Sequence, residues 1–127
     1  MINASLTTMI GAKNNIHKDV WANFTYDLIS YLSSNRSNLA FMVWGSSAHR
    51  LCKNIDPKNH YLTTSSHPSP LSAHNTFNGT VYGPVKNELN RQIATYPPYK
   101  TTDHFGRVNN YFKSIGKPII LWDIIDF

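Results

Sequence analysis

Apolar residues recur every four positions between Asp19 and Ser33, where Val20, Phe24, Leu28 and Leu32 share one face with Trp21 and Tyr31 beside them. That spacing predicts an amphipathic helix over 19–33 with Asp19 as its N-cap. The polar stretch Ser33 to Asn38 then gives way to the unbroken apolar run Leu39 to Trp44, the pattern of a strand buried on both faces. Gly45 ends the run. A short helix follows from Ser46 or Ser47 to Cys52, and Asp56-Pro57 turns the chain into a second short strand, Tyr61 to Thr64. Residues 2–7 read as the end of a further strand entering a polar turn, with Ile2 and Leu6 apolar around Asn3. The order strand, helix, strand, helix, strand predicts an α/β layer with parallel strands.

His67-Pro68-Ser69-Pro70-Leu71-Ser72 cannot continue a strand, because proline lacks an amide donor and fixes its backbone angle. It predicts a stiff loop at the carboxyl end of a strand, where ligands of open α/β sheets bind. Gly83-Pro84 and Pro97-Pro98 bracket a polar stretch, Lys86 to Gln92, long enough for one or two helical turns; residues 80–103 read as an insertion. Val108, Phe112 and Ile115 predict a last amphipathic helix closed by Gly116, and Pro118 leads into the apolar run Ile119 to Trp122.

Composition narrows the possibilities. A chain of 127 residues with 41% hydrophobic content and sixteen aromatic side chains is a single domain able to build a modest core. The net charge of +5 favours an anionic partner such as a phosphate backbone, although a merely soluble basic surface has the same charge. A single cysteine, Cys52, excludes an internal disulfide and a thiolate zinc site and fits a reducing compartment. With no secretory leader or membrane span in the pattern, the expected location is intracellular: the nucleus of a eukaryote or nuclear virus, otherwise the cytoplasm. The six histidines form no known ligand spacing, so no metal and no other cofactor is expected.

Three motifs are more specific: Asn3-Ala4-Ser5-Leu6-Thr7, the run Phe41-Met42-Val43-Trp44-Gly45-Ser46, and His67-Pro68-Ser69-Pro70-Leu71-Ser72. In this order they resemble the C-terminal half of the uracil-DNA glycosylases of family 1. His17, Trp21, Phe24 and Thr25, then His104-Phe105, Asn109, Gly116, Pro118 and Trp122, fall where that family has similar residues. The resemblance implies a three-layer α/β sandwich with a short parallel sheet flanked by helices. It also implies that this sheet is incomplete, because the family's N-terminal half, including a central strand, has no counterpart here.

The resemblance also implies roles. Asn3 reads uracil through an amide that donates and accepts together; taken alone, an Asn at a strand end is more often a turn former. His67 is the catalytic residue that hydrogen-bonds the uracil carbonyl and supports the charge developing on the base. Leu71 is the apolar wedge that fills the stack vacated by the extruded nucleotide. Gly45, Ser46, Ser69, Pro70 and Ser72 complete the DNA-binding set, with Ser46 and Ser69 gripping phosphates and Gly45 admitting the backbone. A serine after Gly45 is equally an ordinary helix cap.

Two departures from the family pattern stand out. The family's water-activating Asp lies in Gly-Gln-Asp-Pro-Tyr-His, and this sequence has no Asp-Pro-Tyr; its single Asp-Pro is Asp56-Pro57. Where relatives carry a basic residue soon after the wedge, this chain has Asn75, leaving Lys86, Arg91 and Lys100 as candidates to supply the attraction. The implied activity is hydrolysis of the uracil N-glycosidic bond in base-excision repair. Uracil-containing DNA is the expected partner, together with a separate N-terminal half or longer parent chain, and no membrane is involved. The alternative is an inactive DNA-binding or partner-binding remnant.

Overall fold

The computed structural model describes residues 2–7, 9–11 and 17–123. Along the chain run α1 (Lys18–Asn35), β1 (Ala40–Trp44), α2 (Gly45–Cys52), β2 (Tyr61–Ser65), β3 (Phe77–Thr80), β4 (Ile93–Tyr96) and α3 (His104–Ser114). Single 3-10 turns at Glu88–Asn90 and Tyr99–Thr101 interrupt the connections. No described helix is long and apolar enough to cross a membrane.

β1 and β2 pair in parallel, with Ala40 opposite Tyr61 and Trp44 opposite Ser65, and α2 makes the crossover between them. This is the α/β unit that the alternation predicts. Among the described residues the parallel sheet has two strands, in keeping with an incomplete sheet. The core cluster is correspondingly small. Ile29 of α1, Val43 of β1, Cys52 of α2 and Ile55 are buried, with Phe41, Ala48, Leu51, Leu62 and Tyr82 packed around them. Burial pushes the Cys52 thiol up to about 12, so it packs as a small apolar group.

Several expectations change at this level. Val43 is the buried residue of β1 and its neighbours are half-buried, because β2 is the strand's one described neighbour and burial on both faces requires more. On α1 the buried positions are Thr25 and Ile29, whereas Val20 is 78% and Phe24 52% exposed. The apolar stripe is thus turned by one residue: Ile29 meets α2, and the Val20–Phe24 side faces outward. Asp19 lies in the first turn and His17 at the N-cap, with no side-chain cap bond; the Asp19 carboxylate there still complements the helix dipole. Residues 2–7 form no strand. They are held by polar contacts instead: Ser5 Oγ donates to the Thr7 carbonyl, and Thr7 Oγ1 accepts from Trp21 Nε1 at 2.8 Å.

The segment read as a partly helical insertion supplies the second strand of an antiparallel hairpin whose first strand, Phe77–Thr80, largely precedes it, with Phe77 opposite Tyr96 and Thr80 opposite Ile93. Its fixed point is His49 of α2. The His49 ring is buried among Phe77, Tyr82 and Tyr96, and its Nδ1 lies 2.9 Å from the Tyr82 hydroxyl, which also bonds Thr64 Oγ1. A Cβ at Gly79 would come within 2.7 Å of that ring, so glycine is required there by the close approach of strand to helix. Burial lowers the His49 pKa, so the ring packs as a neutral group.

Candidate nucleic-acid interface

β2 ends at Ser65, and Ser65 and Ser66 are both buried, whereas the next residue, His67, is exposed. The strand therefore delivers His67 from the interior to the surface at its carboxyl end. Gly45 has a φ of 85°, and a side chain there would place its Cβ 3.1 Å from the Cβ of His67. The first residue of α2 and the start of the proline loop are in contact, as the two motifs require of one site.

One hydrogen bond orients the His67 ring. Its Nδ1 accepts the backbone N–H of Ser69 at 3.1 Å, so in this geometry Nδ1 carries no proton and Nε2 does. Among the described residues Nε2 has no hydrogen-bond partner. The rest of the loop is stitched internally: Ser72 Oγ donates to the His67 carbonyl, and the amides of Ser72 and Ala73 both donate to the Ser69 carbonyl. Because the Ser72 hydroxyl hydrogen is committed to His67, the 3.2 Å pair between Ser69 Oγ and Ser72 Oγ has Ser69 as donor. Both serines brace the loop, and a phosphate grip by Ser69 requires its hydroxyl to turn away from Ser72. At the tip, Leu71 is 91% exposed next to exposed Pro70. A leucine held that far into solvent by a bonded, proline-stiffened turn lies outside the core and is free to insert elsewhere.

Underneath lies a brace that sequence reasoning missed. The Ser66 amide donates to the Pro97 carbonyl and the Tyr99 amide to Ser66 Oγ, while the Lys100 amide donates to the carbonyl of buried Ala73 at 3.1 Å. Residues 97–102 thus tie the strand end to the far side of the loop. Behind them His104 is 1% exposed, with Nδ1 2.9 Å from Thr63 Oγ1 and Nε2 2.8 Å from Ser65 Oγ, stacked on Tyr99 and edge-on to Trp44. Burial lowers the His104 pKa, with the Arg107 charge adding to it. Pro97-Pro98 was the available signal for a rigid segment.

Asn3 is exposed and Ala4 half-buried. Ala4 lines a cavity with Asp19, Ala22, Ser47, Arg50 and Leu51, which sets the segment beside the first turns of α2. Ser46 is exposed on that same end of α2. Among the described residues no hydrogen bond joins Asn3 to His67, and the cavity beside Ala4 includes neither. The structure therefore brings Gly45, His67 and the 69–72 loop together and leaves Asn3 on a neighbouring segment. Arg91 departs further from expectation. It is buried, and its guanidinium donates to the carbonyls of Lys53, Val81 and Gly83 and to Asn54 Oδ1, so it is a structural tie for the hairpin and unavailable to DNA. Asp56 likewise caps its own turn through Lys58 and Asn59.

The chain is similar in sequence and in fold to known proteins. No protein-family model matches the chain. A probable uracil-DNA glycosylase of Acanthamoeba polyphaga mimivirus is 45% identical over 98% of this chain, and uracil-DNA glycosylases of Francisella philomiragia and Aliarcobacter butzleri are 35% and 31% identical over 96% of it. The chain spans 32% of the first of these relatives and 46% of the other two. The crystal structure of the mimivirus uracil-DNA glycosylase superposes with a TM-score of 0.86 at 45% identity, covering 98% of this chain and 43% of that one. A variant of the same viral protein in complex with UGI gives a TM-score of 0.87 at 46% identity.

Proposed function

We propose that this chain, homologous over 98% of its length to a segment of the uracil-DNA glycosylases, carries the base-polarising and strand-separating part of uracil excision from DNA. The observation that carries the reading is the 3.1 Å hydrogen bond from the Ser69 amide to His67 Nδ1. With Nδ1 held by the Ser69 amide, Nε2–H is a preorganised donor for a carbonyl oxygen that becomes negative as the glycosidic bond breaks. Such a donor contributes about 3 kcal/mol to the barrier, roughly a hundredfold in rate. No reorganisation is needed, because the ring is bonded to its own loop before substrate arrives.

The remaining roles are those that the resemblance to the uracil-DNA glycosylases implies. Leu71, at the tip of the same loop, occupies the gap left by the extruded nucleotide, and its rigidity limits the ordering entropy lost on insertion. Asn3 reads the base edge from the neighbouring segment, and Gly45 and Ser46 meet the sugar-phosphate backbone at the start of α2. The carboxylate that activates water in the family belongs to an Asp-Pro-Tyr segment that this sequence lacks. It comes from a separate N-terminal half or a longer parent chain.

The test is release of free uracil from uracil-containing single-stranded DNA, by the chain alone and after addition of a segment bearing Gly-Gln-Asp-Pro-Tyr-His. Release that requires the added segment and drops about a hundredfold in His67→Ala supports the proposal, with Asn3→Asp as the control for base reading. DNA binding that persists without any release in the mixture supports the alternative, a DNA-binding remnant.

A further inference from the structure

The loop that bears the wedge has no permanent positive charge of its own. No Lys or Arg occurs between Lys58 and Lys86, a stretch that contains all of β2, the proline loop and β3. DNA carries its charge on the backbone, so a wedge entering the stack between two phosphates gains little attraction from neutral serines. The cation has to come from another element.

Lys100 is bonded to that loop through its backbone. Its amide donates to the carbonyl of Ala73, two residues from Leu71, and Ala73 is itself 2% exposed and fixed by a bond from its own amide to Ser69. The 3-10 turn Tyr99–Thr101 that presents Lys100 is anchored on both sides, by the Tyr99 amide on Ser66 Oγ and by Thr102 Oγ1 on the Pro98 carbonyl. The Lys100 side chain is exposed, and among the described residues the ion pairs involve Lys53, Arg91 and Glu88 and not Lys100. The other basic residues that sequence reasoning proposed are placed differently: Arg91 is buried in the hairpin tie, and Lys86 lies in the 81–92 connection, at the end of the hairpin opposite the Phe77–Tyr96 pair that adjoins the loop.

We propose that Lys100 is a phosphate-binding residue that flanks the wedge and supplies, from the brace rather than from the loop, the counter-charge for the strand Leu71 enters. This rests on the reading of the chain as a DNA-binding part of a uracil-DNA glycosylase. The partner is a phosphodiester of single-stranded or locally opened DNA, bound as a point charge and without base preference.

The experiment is the salt dependence of binding of the full chain to a uracil-containing single-stranded oligonucleotide, for the wild type, Lys100→Gln, Lys100→Arg and Lys86→Gln. Each single-strand phosphate contact contributes roughly 0.7 to the slope of log affinity against log salt. Lys100→Gln is expected to lower that slope by about 0.7 and weaken binding at low salt, with Lys100→Arg and Lys86→Gln close to wild type. An unchanged slope in Lys100→Gln, or an equal fall in Lys86→Gln, overturns the assignment while leaving the wider reading intact. A wild-type chain with no affinity for the oligonucleotide overturns both.

Discussion

Gly45 and His67 touch: a side chain at position 45 would put its Cβ 3.1 Å from the His67 Cβ, on a backbone whose φ is already 85°. Two penalties therefore coincide at one residue. An L-residue in that conformation costs about 1–3 kcal/mol, and the added methyl has to displace the histidine that carries the proposed chemistry. Gly45→Ala is expected to lower stability by about 1–3 kcal/mol in urea unfolding. It should also reduce uracil release in the reconstituted mixture by more than its loss of folded protein explains. A variant that unfolds earlier yet releases uracil normally per folded molecule would separate Gly45 from the His67 position.

Leu71 allows the opposite separation. At 91% exposure its side chain contributes little to folding, and substitutions at such positions usually change stability by less than about 0.5 kcal/mol. Leu71→Ala should therefore melt with the wild type while losing the ability to hold an extruded base. The check is fluorescence of a base analogue placed opposite the uracil in a duplex, which should report a smaller unstacked population at saturating protein. A destabilised Leu71→Ala would mean that the leucine packs against the protein rather than awaiting a partner.

How much of this was visible in the sequence depends on how local the determining forces are. α1, α2, α3 and the β1–β2 pair were legible because their signals lie within a few residues of one another: the four-residue repeat, the apolar run, and the glycines at 45 and 116. The hairpin was not, since Phe77–Thr80 and Ile93–Tyr96 are four residues each and their pairing is fixed by the His49 ring on a different element. Burial of polar side chains was also illegible. Arg91 read as a candidate DNA-binding cation and the histidines showed no ligand spacing, while the partners that make burial of His49, His104 and Arg91 tolerable, Tyr82, Ser65 and the carbonyls of Lys53, Val81 and Gly83, are distant in sequence. At the candidate site, the loop motif pointed to His67 and Leu71, and the structure leaves both exposed, one at the end of β2 and the other at the loop tip. The brace at 97–102 became visible only when its bonds to Ser66 and Ala73 were seen.

Arg91 provides a direct test of that difference between a surface cation and a structural one. Its Nη1 donates to three main-chain carbonyls and Nη2 to Asn54, whose own amide donates to Tyr26 of α1. Removing the guanidinium leaves buried acceptors without donors, at about 1–3 kcal/mol for such a loss. Arg91→Gln is expected to lower the urea midpoint accordingly and to leave the salt dependence of DNA binding unchanged once folded protein is accounted for. Glu88 pairs with the same guanidinium from solvent, and the Arg91 and Lys53 bonds hold its carboxyl below the usual range; Glu88→Gln should move the midpoint far less. A shallower salt slope in Arg91→Gln would return this residue to the DNA surface.

The two buried histidines make stability depend on pH in a definite direction. Burial, the largest cause at each ring, lowers the pKa of both His49 and His104 from the ordinary value of 6.5, and each ring nitrogen of His104 faces a hydroxyl that can serve a neutral imidazole. Below 6.5 the unfolded chain takes up protons at these rings, while the folded chain resists doing so until its own lower values are reached. The unfolded state then binds more protons, so stability falls as pH drops through that window and is flat with respect to these groups above it. Urea unfolding from about pH 8 to about pH 5 should show the midpoint declining on the acid side of the unfolded value. His49→Gln should flatten part of the decline by removing one of the two rings, and by loosening the hairpin from α2 it should also lower the midpoint at neutral pH. The two effects are read at opposite ends of one titration. A variant whose acid limb remains parallel to that of the wild type would mean that the decline originates at groups other than the buried imidazole of α2.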